Sequence, residues 1–186
     1  MSEEPLINGF LPDENPLKLL NTNDKSLNYL HEISSALPKL LLTNQIRLKV
    51  KNLNFDSLDI RELSQRELKC LNVQLSFLAH AYIWGDKTPS TKLPYPLSEL
   101  WVKVSNNLGR PPVLSYASYC LDNWHKIDPN KAISLDNVAL NYNFLGGIDE
   151  DWFVTIHICI EYAARGAISS THRICLLYTS PSPRDS

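Results

Sequence analysis

One stretch of this chain carries side chains whose types and spacing could do chemistry: Asp151 to Ile168, reading DWFVTIHICIEYAARGAI. On a helix Phe153, His157, Ile160 and Ala164 fall at offsets of four, seven and eleven. A single stripe then presents an aromatic ring, an imidazole and small aliphatic groups in succession. A neutral imidazole there can give or take one hydrogen bond, and the tautomer decides which. Ala163, Ala164, Gly166 and Ala167 keep the end of the stretch slim, which lets a flat hydrophobic cofactor, or equally another helix, come close. On pattern alone, packing against a helix is the stronger reading. A lone histidine among Ile156, Ile158 and Ile160 is more often a satisfied core residue than a catalytic one. His157 and Glu161 are four apart and could share a face, but no second histidine follows as in HExxH, so the pair is a weak metal signal.

Cys70, Cys120, Cys159 and Cys175 lack a paired CxxC spacing, and the first three lie in apolar helical patterns. They read as buried thiols of a cytoplasmic protein, not as a disulfide frame or a zinc site. The 186 residues carry a formal charge of -2 and are 44% hydrophobic, which suits one globular domain or one and a part. Arg47, Lys49 and Lys51 read as a solvated helix face and not as a nucleic-acid stripe, so nucleic acid is excluded as a partner. No apolar run approaches the roughly 18 to 20 residues of a membrane span, so a membrane partner is excluded as well.

The elements that must position the stripe read as helices and turns, and the predicted class is all-α. Residues 1–24 hold Pro5, Gly9, Pro12 and Pro16 and suggest an extended arm anchored by Phe10 and Leu11. A first helix is expected from Ser26, and a second from Pro38 through LLLTNQIRLKVKNL with Leu41, Ile46 and Leu48 inward. Between Leu63 and Trp84, Leu68, Leu71, Leu75, Leu78 and Tyr82 keep helical spacing up to a stop at Gly85. Leu97, Leu100, Trp101, Val104 and Leu108 do so up to Gly109. Pro111 and Pro112 open a predicted helix from Val113 to His125, with His125 at its exposed end. Ile127 to Gly147 reads as a linker between two lobes. Asp149, Glu150 and Asp151 precede the final helix and favour the positive end of its dipole.

RPPVLSYASYCLDNW from Arg110, DPNK from Asp128, FLAHAYIWG and the stretch from Asp151 together resemble the distal half of the indoleamine 2,3-dioxygenase family. The resemblance runs from about Leu6 to Ile168. It implies a small distal helical lobe over residues 1–146 with its arm and linker, then, over 147–170, the first helix of a truncated large haem-binding helical domain. The implied cofactor is haem b. The implied reaction is cleavage of the indole C2–C3 bond of L-tryptophan, or a related indole, by O2 to give N-formylkynurenine, in tryptophan catabolism toward NAD. The complete protein is expected to be a monomer.

Carried over residue by residue, the resemblance makes His157 the polar side chain of the distal pocket. Tyr116, Tyr119 and Cys120 become pocket-lining residues of the small lobe, and Phe153 and Val154 lie beside the indole. Val154 departs from the family's frequent second aromatic there, which Trp152 partly offsets. The proximal histidine and the arginine that grips the substrate carboxylate belong to helices beyond position 170. His31, His80, His125 and His172 stand in no matching context, so the chain as given is expected not to hold haem in the normal way and to be inactive. From Thr171 the sequence changes character, and CLLYTSPSPRDS resembles translated adapter sequence, so 171–186 is expected to be non-native. Two other readings stay open: a non-enzymatic, oxygen-binding haem protein of the same fold, and a short helical protein that binds a partner through an uncovered face.

Overall fold

The computed structural model of the protein describes residues 7–21, 23–56 and 58–179. Among the described residues six α-helices dominate, in keeping with the predicted all-α class: α1 Lys25–Ser35, α2 Leu37–Leu42, α3 Ile46–Val50, α4 Gln65–Trp84, α5 Tyr95–Asn107 and α6 Ile148–Thr179. Helix α4 is the centre. Leu71, Val73, Leu75, Phe77, Leu78 and Ala79 are all sealed from water, on every side of the helix, because α1, α3 and α5 pack around it. It starts at a capping box, with Ser64 Oγ accepting from Glu67 N at 3.3 Å and Glu67 Oε2 from Ser64 N at 2.9 Å. It stops at Gly85, where a Cβ would run into the Ala81 carbonyl and the Leu41 side chain.

The single helix expected from Pro38 is two. The chain breaks at Thr43 and Asn44, with Asn44 in the left-handed region at φ 55°, a conformation asparagine tolerates better than most residues. The break turns Leu48 out to solvent while Ile46 and Val50 go inward. Arg47 corrects the expectation of a solvated face. Its guanidinium lies against the end of α4 and donates to the carbonyls of Tyr82 at 3.0 Å, Ile83 at 3.2 Å and Thr88 at 2.6 Å, and to Asp86 at 3.2 Å. The carbonyls of Tyr82 and Ile83 end α4 and have no partner within it, so a cation there is favoured.

The helix expected from Val113 to His125 does not form. Only a π-helical turn, Ala117–Leu121, appears, and the chain then enters an antiparallel hairpin of β1 Trp124–Lys126 and β2 Val138–Leu140. The reason lies in Asn123. Its side chain donates to the Tyr119 and Tyr142 carbonyls at 3.1 and 2.8 Å and accepts from Tyr142 N at 2.9 Å, so it outcompetes helix continuation. His125 is accordingly a strand residue bonded to Asn141 Oδ1 at 2.8 Å, and not a helix end. The expected linker contains β2. The π turn is tied to the core through buried Asn72 of α4, which donates to Ser118 Oγ at 3.1 Å and accepts from Trp101 Nε1 and Ser105 Oγ at 3.2 and 3.3 Å.

Helix α6 takes the three acids into its first turn and runs without a break through Thr171 to Thr179. Its inward residues Val154 and Ile158 complete a second, smaller core with Leu11, Cys120, Trp124 and Val138. Of the two expected anchors of the arm, Leu11 is buried there and Phe10 is exposed. Of the thiols expected inside, Cys70 and Cys120 are buried and Cys159 is only half-buried. The start of the arm, 1–6, and the end of the tail, 180–186, lie outside the described residues.

Candidate functional site

The π turn lays two tyrosines against α6. Tyr116 meets His157 edge to face, with ring centroids 6.0 Å apart and planes at 72°. Tyr119 meets Phe153 at 6.1 Å, and Phe153 meets His157 at 4.3 Å. A π turn carries one more residue than an α turn, and here it places Tyr116 and Tyr119 along one face of α6. Behind Tyr119 the aromatic wall continues, since Phe77 stacks on Tyr119 at 5.7 Å and on Phe144 at 4.6 Å. Tyr116, Tyr119, Phe153 and His157 are thus brought together. Cys120 and Val154 sit behind them, fully buried in the smaller core, where they form the floor and face no open surface.

His157 has a defined tautomer. Its Nδ1 lies 2.5 Å from the Phe153 carbonyl oxygen, which only accepts, so Nδ1 carries the proton and Nε2 of the neutral ring is an acceptor. Both tyrosine hydroxyls end on carboxylates of α6: Tyr116 donates to Glu161 Oε1 at 3.0 Å and Tyr119 to Glu150 Oε1 at 3.3 Å. Burial, then Glu161, raises the Tyr116 pKa above the ordinary phenol value. Burial, then Glu150, pushes Tyr119 up to about 12, and burial pushes the Cys120 thiol up to about 11. These groups stay protonated near neutral pH and serve as donors and packing groups, not as bases or nucleophiles.

The face of α6 that carries Phe153 and runs on past the cluster is bare and apolar. Trp152 is 47% exposed, Phe153 51% and Ile160 56%, and a Cβ built on Gly166 would meet nothing. A separate groove of about 780 Å³ lies between α2 and the end of α4, lined by Pro38, Leu41, Leu42, His80, Trp84 and Leu145 among others. None of Tyr116, Tyr119, Phe153 or His157 borders it.

The indoleamine 2,3-dioxygenase family profile matches residues 5–179. The chain belongs to that family. It is 34% identical over 160 residues to indoleamine 2,3-dioxygenase of Saccharomyces cerevisiae, covering 82% of this chain and 35% of that protein. Against indoleamine 2,3-dioxygenase 1 of Rattus norvegicus the identity is 33% over 141 residues, or 74% of this chain and 34% of the relative. Against human indoleamine 2,3-dioxygenase 2 it is 32% over 135 residues, or 72% and 33%. The chain therefore spans about a third of the length of these dioxygenases.

The bare face of α6 fits a flat apolar group such as the haem expected for an indoleamine 2,3-dioxygenase: small side chains at Ala163 and Gly166 and the flanking Ile160 offer no polar atom to it. Three other histidines are committed elsewhere. His31 bonds Gln74 and Leu20 N, His80 the Ser76 carbonyl and His125 Asn141. Sequence reading missed three contributors: Glu150, taken only as a helix-dipole acid, Glu161, weighed only as a metal ligand, and Phe144, placed in a linker. Glu161 was the one with a signal, since it lies one helical turn beyond His157.

Proposed function

We propose that this chain forms the distal wall of a haem-dependent dioxygenase that opens the indole ring of tryptophan with O2. The observation that carries the reading is His157, whose Nδ1 is taken up by the Phe153 carbonyl and whose Nε2 is left for a ligand, set among Phe153, Tyr116 and Tyr119 on an otherwise bare apolar helix face. Haem, when bound, supplies the iron at which O2 is activated, and Ile160, Ala163, Ala164 and Gly166 are the residues that would lie along its face. Both oxygen atoms enter the product as the C2–C3 bond breaks, so tryptophan plus O2 balances N-formylkynurenine with no further reductant consumed in the reaction.

The chain's own residues bind and orient. Phe153 and Tyr119 give the indole aromatic surfaces to stack on, an arrangement worth about 0.5–1.5 kcal/mol per ring pair beyond burial. His157 Nε2 accepts the indole N–H, which fixes the direction of the ring. Indole N–H is a very weak acid, so the imidazole positions the ring and does not deprotonate it. The apolar surroundings raise the cost of a misplaced polar group once the face is covered. The test is His157→Ala in the haem-loaded whole protein. Losing one neutral hydrogen bond of about 0.5–1.5 kcal/mol weakens tryptophan binding roughly 2- to 12-fold. Unchanged affinity and unchanged turnover make His157 a packing residue and overturn its role.

A further inference from the structure

We infer that Glu150 and Glu161 are positioning residues: a pair of carboxylate clamps on α6 that hold the Tyr119 and Tyr116 rings at the spacing the site needs. The two acids are eleven residues apart, close to three helical turns, and so lie on one face of α6 with Phe153 and His157 between them. Their partners are three residues apart on the π turn. Tyr116 reaches Glu161 at 3.0 Å and Tyr119 reaches Glu150 at 3.3 Å. Each ring is held at two points, by its backbone on the π turn and by its hydroxyl on α6.

Glu150 does more than hold a ring. Its Oε1 also accepts from Phe144 N at 2.8 Å and its Oε2 from Leu145 N at 2.8 Å. One carboxylate therefore joins the chain crossing into α6, the start of α6 and Tyr119, and so fixes Phe144 in the stack that backs Tyr119. A carboxylate accepting two backbone N–H groups and a phenol is a strong, directional joint, because hydrogen bonds to charged acceptors are about twice as strong as neutral ones. Glu161 has one bond, to Tyr116, and without it only the edge-to-face contact with His157 holds that half-exposed ring against α6. One weak ring contact does not fix a tyrosine rotamer, so the ring would leave His157.

The inference rests on reading Phe153 and His157 as the indole site, but the clamp is read directly from ring contacts in the 186-residue chain. The experiment is NMR on the labelled chain, following through-space contacts of Tyr116 with His157 and of Tyr119 with Phe153, alongside thermal unfolding. Glu161→Ala and Tyr116→Phe should each abolish the Tyr116–His157 contact, while Glu161→Gln, which keeps an acceptor oxygen, restores it. Glu150→Ala should abolish the Tyr119–Phe153 contact and leave Tyr116–His157 in place. A residue that only adds stability would shift the unfolding midpoint without this selective loss and rescue. Tyr116→Phe keeps the ring and removes one hydroxyl, so it reports even where an acid-to-alanine change unfolds the chain. Persistence of the Tyr116–His157 contact in Glu161→Ala or Tyr116→Phe overturns the clamp, whatever tryptophan assays show. Loss of the contacts in a protein that makes no N-formylkynurenine sustains the clamp and removes only the proposed chemistry.

Discussion

Asn72 offers the sharpest test of how the core carries the site. It is buried, as are Trp101, Ser105 and Ser118, and it joins α4 to α5 and to the π turn that bears Tyr116 and Tyr119. Asn72→Leu keeps the branched four-atom shape, with somewhat larger methyl ends, and deletes all three bonds. Each buried donor left without a partner costs about 1–3 kcal/mol. Trp101 Nε1 has no substitute and bears the full cost. The Ser105 hydroxyl can turn to a carbonyl of its own helix, as serines in helices do, and Ser118 keeps its contact with Ser115 at 3.4 Å. The expected loss is therefore about 2–4 kcal/mol, a large share of the roughly 5–15 kcal/mol that stabilises a domain. At about 2–4 °C per kcal/mol for this chain length, the midpoint falls by about 4–16 °C. Urea unfolding of the wild type, Asn72→Leu, Trp101→Phe and the double variant separates the terms. Trp101→Phe removes the orphaned donor, so it should cost much less in the Asn72→Leu background than alone. Additive losses, or a single-variant loss below about 1 kcal/mol, refute the reasoning.

Two further outcomes follow from the same core. His31 donates from Nδ1 to Gln74 Oε1 at 2.6 Å and accepts Leu20 N–H on Nε2 at 3.3 Å, so only the neutral ring fits, and burial lowers its pKa below the ordinary 6.5. Because the folded pKa is depressed, the unfolded chain takes up a proton that the folded one refuses. The stability this group contributes is present above about 6.5 and is lost as pH falls toward the folded value, at up to about 1.4 kcal/mol per pH unit. His31→Gln should flatten that slope in urea titrations between pH 7 and pH 5. Arg47→Ala strips the end of α4 of its cation and should cost about 2–3 kcal/mol, with Arg47→Lys recovering less than half because an ammonium cannot reach carbonyls of Tyr82, Ile83 and Thr88 together. Equal stability of the two variants would show that the fork geometry is irrelevant.

Much of the scaffold was legible in residue spacing. The repeat of Leu68, Leu71, Leu75 and Leu78 marks α4, and the chain following Ser64 carries the capping signal at Glu67 that starts it. What the spacing concealed came from side chains that compete with the backbone or with solvent. Asn123 ends a helix that Val113 to Trp124 would otherwise suit, and Asn44 splits another by adopting the left-handed region. Arg47 reads as a surface charge until the fold brings the end of α4 beneath it. At the site, the aromatic and imidazole stripe of α6 was visible from offsets of three and four. The burial of Val154 was hidden because both sides of α6 near that point are apolar, and nothing local says which side Leu11, Cys120 and Trp124 cover. The carboxylates were hidden for a different reason: Tyr116 and Glu161 are 45 residues apart, and only the π turn places them in contact.

The central claim, that the cluster of Tyr116, Tyr119, Phe153 and His157 is the distal wall of a tryptophan-cleaving haem site, is tested most directly by giving the haem-loaded whole protein L-tryptophan and O2 and measuring both oxygen uptake and product. The account predicts one N-formylkynurenine for each O2 consumed, with the yield cut by Phe153→Ala and His157→Ala. Reversible oxygen binding with no N-formylkynurenine contradicts it and makes the protein an oxygen carrier built on the dioxygenase fold.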